Sequence, residues 1–518
     1  MKHKFLIIIM ILALVLSLAG CGTEASAAAA ETAEIVEETA ATEETGEAEE
    51  IPNEEPPALP EGEAPDGAPG DLPQGEPPER PEGDDGRGAP PDGEPGGGRG
   101  APPDGKPGGG FGGGSSGSVE YTAATEITGA DKRSGETYES TASDESALLI
   151  ATSEDVTIED PTVLKTGDSD GGDNCNFYGL NAAVLVKDGA TVTITGGEIV
   201  SDADGANGVF SYGGNGGKNG ADGDGTTVVI SDTVITTTGD GSGGIMTTGG
   251  GVTEAHDLTV ATSGRSSAAI RTDRGGGTVT VEGGTYTTNG LGSPAIYSTA
   301  DITVSHAKLI SNLSEGVCIE GKNSITLIDC DLTAENTRCN GNATFLDTIM
   351  IYQSMSGDAD SGTSSFTMTG GRLTSKCGHM FHVTNTSAVI TLSGVELVNE
   401  DEENVLLSVC ADGWSGAENK AVLSAADQVL SGTILVGDDS SLTVNLTDGS
   451  SFEGCFSGEI TNAAGETVST EIGSVAVTID ESSVWTLTGD CVLESLTNNG
   501  TINFNGHTIT LSDGTVLK

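Results

Sequence analysis

The chain has 518 residues, with 79 acidic against 21 basic side chains, and a formal net charge of −58. Glycine is abundant at 78 residues, and aromatic residues make up only 4% of the chain. This composition excludes a nucleic-acid binder, which needs a basic face to displace counterions, and a coiled coil, which needs Ala-, Glu-, Lys- and Leu-rich heptads. A single long apolar run excludes a protein with several membrane spans.

The first twenty residues have the pattern of an export signal. Lys2 and Lys4 precede an uninterrupted apolar run over residues 5–16, and the sequence Leu-Ala-Gly-Cys follows at residues 18–21. A charged start, a short apolar core and small residues at the cleavage point are typical of a secretory signal peptide. The four residues resemble the lipobox of bacterial lipoproteins. The resemblance implies cleavage before Cys21, a diacylglycerol on its thiol, and a membrane-anchored protein facing outward at the bacterial cell surface.

Residues 21–120 are predicted to form a disordered linker. Sixteen of the 18 prolines lie between Pro52 and Pro107, and the sequence of residues 87–98 recurs with one change at 99–110. Residues 22–117 hold 24 acidic and 4 basic side chains, a net charge of −20. Such a segment cannot bury enough apolar surface to offset its chain entropy, and its prolines and like charges extend it. We expect a spacer between the lipid and a folded domain.

From about residue 121 the chain consists of short alternating runs rich in Thr, Val and Ile, separated by Gly, Asp, Asn and Ser. Such runs are typical of short β-strands. Apolar residues five positions apart recur at steps of mostly 23–26 residues, and the two longer steps contain insertions at 213–225 and 336–362. A fixed period of this size indicates a solenoid. The pairs are Ile194/Ile199, Ile230/Ile235, Ala255/Val260, Val281/Tyr286, Val304/Leu309, Leu327/Leu332, Met368/Leu373 and Leu392/Leu397.

The repeat resembles the right-handed parallel β-helix of the pectate-lyase-like superfamily, with adhesin-like character. The resemblance implies an all-β fold and specifies no chemistry. We predict a parallel β-helix over residues 121–420, followed by further coils or a cap over 421–518. The alternative, a stack of β-sandwich domains, would lack so regular an apolar register.

A second apolar column is predicted to precede a row of polar side chains. If its isoleucines point inward, strand alternation places Arg271, Tyr297, Glu320 and Tyr352 outward, in one column along the rod. Arginine pairs with uronate carboxylates, and tyrosine stacks on sugar rings. A second interpretation is structural, with Asp273 forming an ion pair with Arg271 or Arg274. The second column is Ile245, Ile270, Ile296, Ile319, Ile351 and Val383, and the candidate ligand-binding residues are Arg271, Asp273, Arg274, Tyr297, Glu320, Lys322, Tyr352 and Gln353.

Two functions from different classes follow from this cluster. The first is binding or adhesion, to an extracellular polysaccharide or a host surface, and the second is a polysaccharide lyase in which Arg271, Arg274 or Lys322 removes the proton beside a uronate carboxylate. The chain lacks the Arg-x-Pro and Trp-Ile-Asp-His motifs of pectate lyases, so binding is favoured and no catalytic residue is assigned. Only Trp414 and Trp485 are available for sugar subsites. Ice binding is disfavoured because the Thr-x-Thr pairs hold no unbroken register.

Acidic turns suggest calcium as a cofactor. Pairs of aspartates one residue apart lie beside glycines, and carboxylate oxygens in tight turns suit Ca²⁺. The alternative is a set of solvated acidic turns. The candidate metal ligands are Asp168, Asp170, Asp173, Asp202, Asp204, Asp222 and Asp224.

The eight cysteines after Cys21 show no CxxC and no zinc spacing, and small buried thiols are favoured over a disulfide framework. His379 and His382 form an isolated HxxH. We expect both histidines to be surface or turn residues.

Overall fold

The computed structural model describes residues 119–216 and 222–518. Within this part the chain is a right-handed parallel β-helix, which confirms the predicted all-β fold class. The predicted signal peptide at 1–20, Cys21 and the predicted linker up to residue 118 lie outside the described residues. Their predicted roles, like the domain boundary at residue 420, stay predictions.

Three long sheets run along the β-helix, and each coil up to residue 399 contributes one strand to each sheet. The first sheet contains Thr122–Ile127, Glu145–Ala151, Val184–Lys187, Val209–Tyr212, Ile245–Thr248, Ile270–Thr272, Ile296–Ser298, Val317–Glu320, Asp347–Tyr352, His379–Thr384, Val405–Val409, Thr433–Val436 and Phe456–Ser457. The second contains Asp131–Ser134, Asp155–Glu159, Thr191–Thr195, Thr227–Ser231, Gly251–His256, Gly277–Glu282, Asp301–Ser305, Ser324–Ile328, Thr363–Thr369, Ser387–Ser393, Asn419–Ala426, Ser440–Thr447, Ser474–Ile479 and Ser495–Asn498. The third contains Thr137–Ser140, Thr162–Lys165, Glu198–Ser201, Val234–Thr237, Thr259–Thr262, Thr285–Thr288, Lys308–Ser311, Asp331–Ala334, Arg372–Ser375 and Glu396–Asn399.

The five-residue spacing of the apolar pairs corresponds to two inward columns. Ile194 pairs with Ile230 in the second sheet, and Ile199 pairs with Ile235 in the third. The same register continues to Leu392 and Leu397 at the far end of the repeat. Each fully buried Ile, Leu or Val contributes roughly 2 kcal/mol through apolar burial. The predicted repeat is therefore confirmed residue by residue, because every coil must present an apolar side chain at the same point of a narrow core.

The corner between the second and third sheets explains much of the Asp and Gly content. The residue that follows each of ten successive strands of the second sheet has a positive φ of 49–70°. Only glycine adopts this conformation without strain, and Asp and Asn tolerate it better than other residues. The corner residues are Gly135, Asp160, Gly196, Asp232, Asp257, Gly283, His306, Asp329, Gly370 and Gly394.

Both predicted insertions contain loops that adjoin strands of the first sheet. Residues 213–225 come directly after Val209–Tyr212, and part of that segment, 217–221, lies outside the described residues. The predicted insertion at 336–362 is not a single loop, because it contains a regular strand of the first sheet, Asp347–Tyr352. Two separate loops, 335–346 and 353–362, therefore flank that strand.

The architecture changes near the C-terminal end, where the third sheet stops at Glu396–Asn399 and a fourth sheet of four parallel strands takes its place. Two short antiparallel pairings occur in this region. The fourth sheet contains Val429–Ser431, Ser451–Gly454, Val484–Leu487 and Thr501–Asn503, and the remaining strands are Ile460–Thr461, Thr467–Ser469, Cys491–Leu493, Ile509–Leu511 and Val516–Leu517.

One short helix, Asp173–Tyr178, is present in the described ranges. Neither it nor any other described segment is a helix of the length and apolarity that a bilayer span requires. The eight cysteines of this part are free thiols, which agrees with the prediction of small buried thiols for the five that are buried: Cys175, Cys318, Cys330, Cys410 and Cys491.

Candidate functional site

The outer face of the first sheet carries a continuous column of side chains that is covered at both ends. Near the N-terminal end, apolar side chains of the column pack together beneath the segment that includes the helix Asp173–Tyr178. Towards the other end, the loops 335–346 and 410–418 lie over the column. In register order the column is Leu149, Leu185, Phe210, Met246, Arg271, Tyr297, Cys318, Met350, His382 and Ser408.

The predicted single column of Arg271, Tyr297, Glu320 and Tyr352 is wrong. Arg271 pairs with Tyr297, but Tyr297 pairs with Cys318, and Glu320 pairs with Tyr352 in a parallel column two residues further along the strands. The cause is a shorter turn before the strand Val317–Glu320, which has five residues where the preceding coil has seven. A shift of two residues keeps the same side chains outward, so the inward and outward assignment survives while the register changes.

The second apolar column shifts with the register. Ile245, Ile270 and Ile296 continue into Val317 and Ile349, rather than into the predicted Ile319 and Ile351. Ile319 pairs instead with Ser298 of the preceding coil. The column of Ile319 then continues through Ile351 into Val383. Both columns face the core, which is why apolar periodicity alone did not separate them.

Glu320 nevertheless connects the two outward columns. Glu320 is buried, with only 2% of its surface exposed. It accepts a hydrogen bond of 2.5 Å from the phenol of Tyr297, one of 3.3 Å from Tyr352, and further bonds from Ser354 and Ser356. Burial raises the pKa of both phenols well above the ordinary value, so they remain protonated donors. Four hydroxyl groups thus hold one buried carboxylate at the centre of the predicted site.

The basic candidates are all engaged in ion pairs. Arg271 lies 2.7 Å from Asp273, which confirms that predicted pair, and it also donates to Asn176 and to the Ser266 carbonyl. Burial raises the pKa of Asp273 to about 6 despite this arginine. The guanidinium of Arg271 is 5.6 Å from the ring centroid of Tyr297. The guanidinium of Arg271 therefore connects neighbouring segments of the site, and its charge is already paired.

The other two basic candidates pair with the loop 353–362. Arg274 lies 2.5 Å from Asp358 and 4.0 Å from the ring centroid of Phe177, and Lys322 lies 2.8 Å from Asp360. Gln353 is buried and donates to the Ala359 carbonyl within the same loop. These contacts fix the loop beside the sheet.

An aromatic cleft opens beside Glu320. It has a volume of about 310 Å³ and lies between the first sheet and the loops 335–346 and 410–418. The rings of Tyr352 and Trp414 meet with centroids 4.9 Å apart and planes inclined at 50°. Trp485, the other predicted subsite residue, is fully buried in the core. The aromatic cleft is lined by Gly292, Pro294, Tyr297, Glu315, Cys318, Asn340, Gly341, Asn342, Ala343, Met350, Tyr352 and Trp414.

A larger crevice of about 750 Å³ lies where the third sheet ends, beside Glu396 and Val429. Its walls are aliphatic and acidic side chains, among them Met380, Leu397 and Leu406. Aromatic faces with a few convergent polar groups are the usual lining of a ligand site. The smaller aromatic cleft is therefore the stronger candidate.

A buried polar cluster beneath the aromatic cleft was not foreseen from the sequence. His379 and His382 are buried, so their prediction as surface or turn residues is wrong. Each Nδ1 lies 2.7 Å from the hydroxyl of Ser408, and His382 Nε2 lies 3.4 Å from Asp412. The Ser408, His382 and Asp412 side chains resemble a catalytic triad, but His382 and Asp412 have no exposed surface and Ser408 is fully buried.

The buried cluster positions Trp414. Asp412 Oδ1 accepts hydrogen bonds from the backbone and hydroxyl of Thr344, at 2.8 and 2.6 Å, and thereby joins the loop 410–418 to the loop 335–346. Burial alone would raise the pKa of Asp412, but the nearby His382 and the hydrogen bonds from Thr344 and Gly413 hold the pKa below the ordinary value. No sequence motif marks this group, because its members come from three separate coils.

Several aspartates of the turns predicted to bind calcium accept hydrogen bonds from a neighbouring coil. Asp168 Oδ1 accepts the backbone N–H of Asp204, and Asp204 Oδ1 accepts that of Asp240 in the next coil. Asp202 accepts from the hydroxyl of Thr238. Asp224 accepts from the backbone and hydroxyl of Thr226 within its own turn.

In residues 119–216 and 222–518, no three His, Cys, Asp or Glu side chains are grouped so that they could hold a metal ion. Of the remaining candidates, Asp170 and Asp222 lie in irregular segments, and Asp173 is the first residue of the helix Asp173–Tyr178. Calcium binding at these turns stays a prediction.

Comparison of the chain with protein-family models, with curated proteins and with solved structures finds no match.

Proposed function

We propose that the protein binds carbohydrate in the aromatic cleft. The observation that carries the proposal is the meeting of Tyr297, Tyr352 and Trp414 around a concave space of about 310 Å³. Aromatic rings offer flat apolar faces to the C–H side of a sugar, while the amides of Asn340 and Asn342 and the nearby carboxylates offer partners for its hydroxyl groups. The β-helix supplies a rigid support for this surface.

Binding is favoured over the lyase alternative because the three basic candidates are already held in ion pairs. Arg271 and Arg274 are partly buried in ion pairs, and Lys322 is paired with Asp360. A base that removes a proton must be within hydrogen-bond reach of the substrate and must release its present partner. We therefore assign no catalytic residue.

Display at the cell surface is the second part of the proposal. The lipobox at Cys21 and the acidic linker would carry the β-helix outward from the membrane, where it meets extracellular polysaccharide or a host surface. Replacement of Cys21 by Ala is expected to release the protein from membranes. A membrane-bound Cys21→Ala variant would contradict this part of the proposal and leave the aromatic cleft untouched.

The experiment uses the intrinsic fluorescence of the two tryptophans. Trp414 lines the aromatic cleft, whereas Trp485 is fully buried, so a sugar stacking in the aromatic cleft changes only the Trp414 emission. The full chain is titrated with neutral, acidic and amino-sugar oligosaccharides. The Trp414→Ala variant is expected to lose about 1–3 kcal/mol of binding free energy, measured by calorimetry.

Two results would overturn the proposal. The first is the absence of binding across the panel, and the second is equal affinity of the wild-type chain and the Trp414→Ala variant. Absorbance of unsaturated sugar products is followed in the same samples. Product that disappears in an Arg271→Ala variant would establish the lyase instead.

A further inference from the structure

The lining of the aromatic cleft includes one acidic side chain, that of Glu315. Glu315 is 6% exposed and accepts a hydrogen bond from the hydroxyl of Ser314. Glu320 lies behind Tyr297 and Tyr352, and its carboxylate is held by hydroxyl groups. Burial raises the pKa of Glu315, because its hydrogen bonds do not fully offset the cost of removing the charged carboxylate from water. A buried carboxylate without a cationic partner is stabilised by a cation that enters beside it.

The basic residues near the aromatic cleft do not fill this role. Among the described residues, none of those that line it is basic. Arg271 approaches Tyr297 from the neighbouring coil, but its charge is paired with Asp273 at 2.7 Å. Arg265 reaches the rim, where it is exposed and donates 2.9 Å to Asn340. The charged group inside the aromatic cleft is therefore the Glu315 carboxylate, which lies among aromatic, amide and apolar side chains.

Aromatic faces add to the attraction of a cation. The electron-rich faces of Tyr and Trp attract an ammonium group by about 0.5–2 kcal/mol, most strongly where water is excluded. Residues 118–518 carry 55 acidic and 15 basic side chains, a net charge of −40, which attracts cations and repels anions at longer range. A uronate carboxylate placed against Glu315 would meet like charge.

We propose that the aromatic cleft selects a cationic sugar, a hexosamine with a free ammonium group, with Glu315 as its counter-ion and Trp414 as its stacking platform. The inference rests on the proposed carbohydrate-binding function and names the class of sugar. The ammonium group lies between the Glu315 carboxylate and the aromatic faces, and the sugar ring stacks on Trp414.

The test compares two oligosaccharides that share one backbone. A β-1,4-linked glucosamine tetrasaccharide carries ammonium groups, and its fully N-acetylated counterpart carries neutral acetamides. Both are titrated into the full chain at mildly acidic pH, where the amine is protonated, with Trp414 fluorescence as the readout. We expect the glucosamine oligomer to bind about tenfold more tightly. A galacturonate tetrasaccharide is expected to bind more weakly than either.

Matched carboxylate variants separate the aromatic cleft from general attraction by an acidic protein. Glu315→Gln removes the proposed counter-ion and is expected to abolish the preference for the ammonium sugar. Glu254→Gln removes the same charge from an exposed position on the second sheet, and it is expected to retain the preference. Competition by free glucosamine against N-acetylglucosamine on the wild-type chain gives the same comparison without any variant.

The outcomes are distinct. Equal or tighter binding of the N-acetylated or the galacturonate oligomer overturns the inference, while carbohydrate binding itself stands. A preference that persists in Glu315→Gln also overturns it, because the selecting group then lies elsewhere. Failure of all three oligomers to change the Trp414 signal or to release heat contradicts the carbohydrate-binding proposal itself.

Discussion

The phenol of Tyr297 donates a hydrogen bond of 2.5 Å to the carboxylate of Glu320. The two residues belong to neighbouring strands of the first sheet but are not register partners, since Tyr297 pairs with Cys318. The bond is diagonal, and it joins two outward columns into one polar cluster beside the aromatic cleft.

Glu320 is expected to be the main polar support of the site. Glu320→Ala would leave the buried phenols of Tyr297 and Tyr352 without their acceptor, at a cost of about 2–4 kcal/mol in the free energy of unfolding. Glu320→Gln retains an acceptor oxygen and is expected to cost less. Denaturant unfolding measures both variants, with the exposed Glu254→Ala as the control. If Glu320→Ala and Glu254→Ala lowered the free energy of unfolding equally, Glu320 would not be the main polar support.

The corner between the second and third sheets gives a matched glycine pair. A Cβ at Gly283 would overlap Oδ1 of Asp257 in the preceding coil, whereas a Cβ at Gly394 would meet open space, and both residues have positive φ. Gly394→Ala is expected to cost about 1 kcal/mol through backbone strain alone, and Gly283→Ala about 1–3 kcal/mol more.

A double variant separates the two contributions at this corner. In an Asp257→Gly background the overlapping carboxylate is gone, so the extra cost of Gly283→Ala is expected to shrink to the level of Gly394→Ala. Thermal and urea unfolding of the four chains give the coupling energy. Additive effects of Asp257→Gly and Gly283→Ala would show that the carboxylate is not the obstacle.

The protein is expected to lose stability in acid because His379 is buried in its neutral form. Burial, with a smaller contribution from His382, lowers the pKa of His379 from 6.5 to about 3. Between these values the unfolded chain binds a proton that the folded chain does not, so the free energy of unfolding falls as the pH falls below 6.5. The loss at pH 5 relative to neutral pH is expected to be about 2 kcal/mol.

His379→Gln is expected to remove this contribution, and His507→Gln, at a half-exposed histidine, provides the control. Urea unfolding of the three chains at neutral pH and at pH 5 is the measurement. The difference between wild type and His379→Gln, taken at each pH, isolates this residue from the other titrating groups. A difference that does not change with pH would contradict the assignment.

Asp412 is expected to act through Trp414. Asp412→Ala removes the acceptor for Thr344 and the partner of His382, and is expected to cost about 1–3 kcal/mol in the free energy of unfolding. It should also weaken sugar binding in the aromatic cleft, because the loop 410–418 loses its connection to the loop 335–346. Asp439→Ala, at an exposed position, is the control. Unchanged Trp414 emission and affinity in Asp412→Ala would rule out the positioning role.

The amino-acid sequence predicts the β-helix and the register of the apolar side chains in its second and third sheets. Every coil presents an apolar side chain to the same narrow core, so pairs such as Ile194/Ile199 and Val304/Leu309 recur at nearly constant spacing. The corners repeat for a similar reason. A residue at positive φ follows each strand of the second sheet that leads into the third sheet, and Asp or Gly supplies it at all of these corners except His306. Part of the acidity of the chain is therefore a property of its bends.

Which outward side chains meet depends on tertiary contacts that the sequence pattern does not show. A turn two residues shorter before Val317 moved Glu320 out of the column of Tyr297, and apolar periodicity does not detect such a shift, because both candidate columns point inward. The loops that carry Asn340 and Trp414 have no period at all, and they reach the aromatic cleft through contacts such as those of Asp412. Local sequence specifies what repeats in every coil. The site depends on the loops and on one turn that do not repeat, and their positions follow from long-range packing.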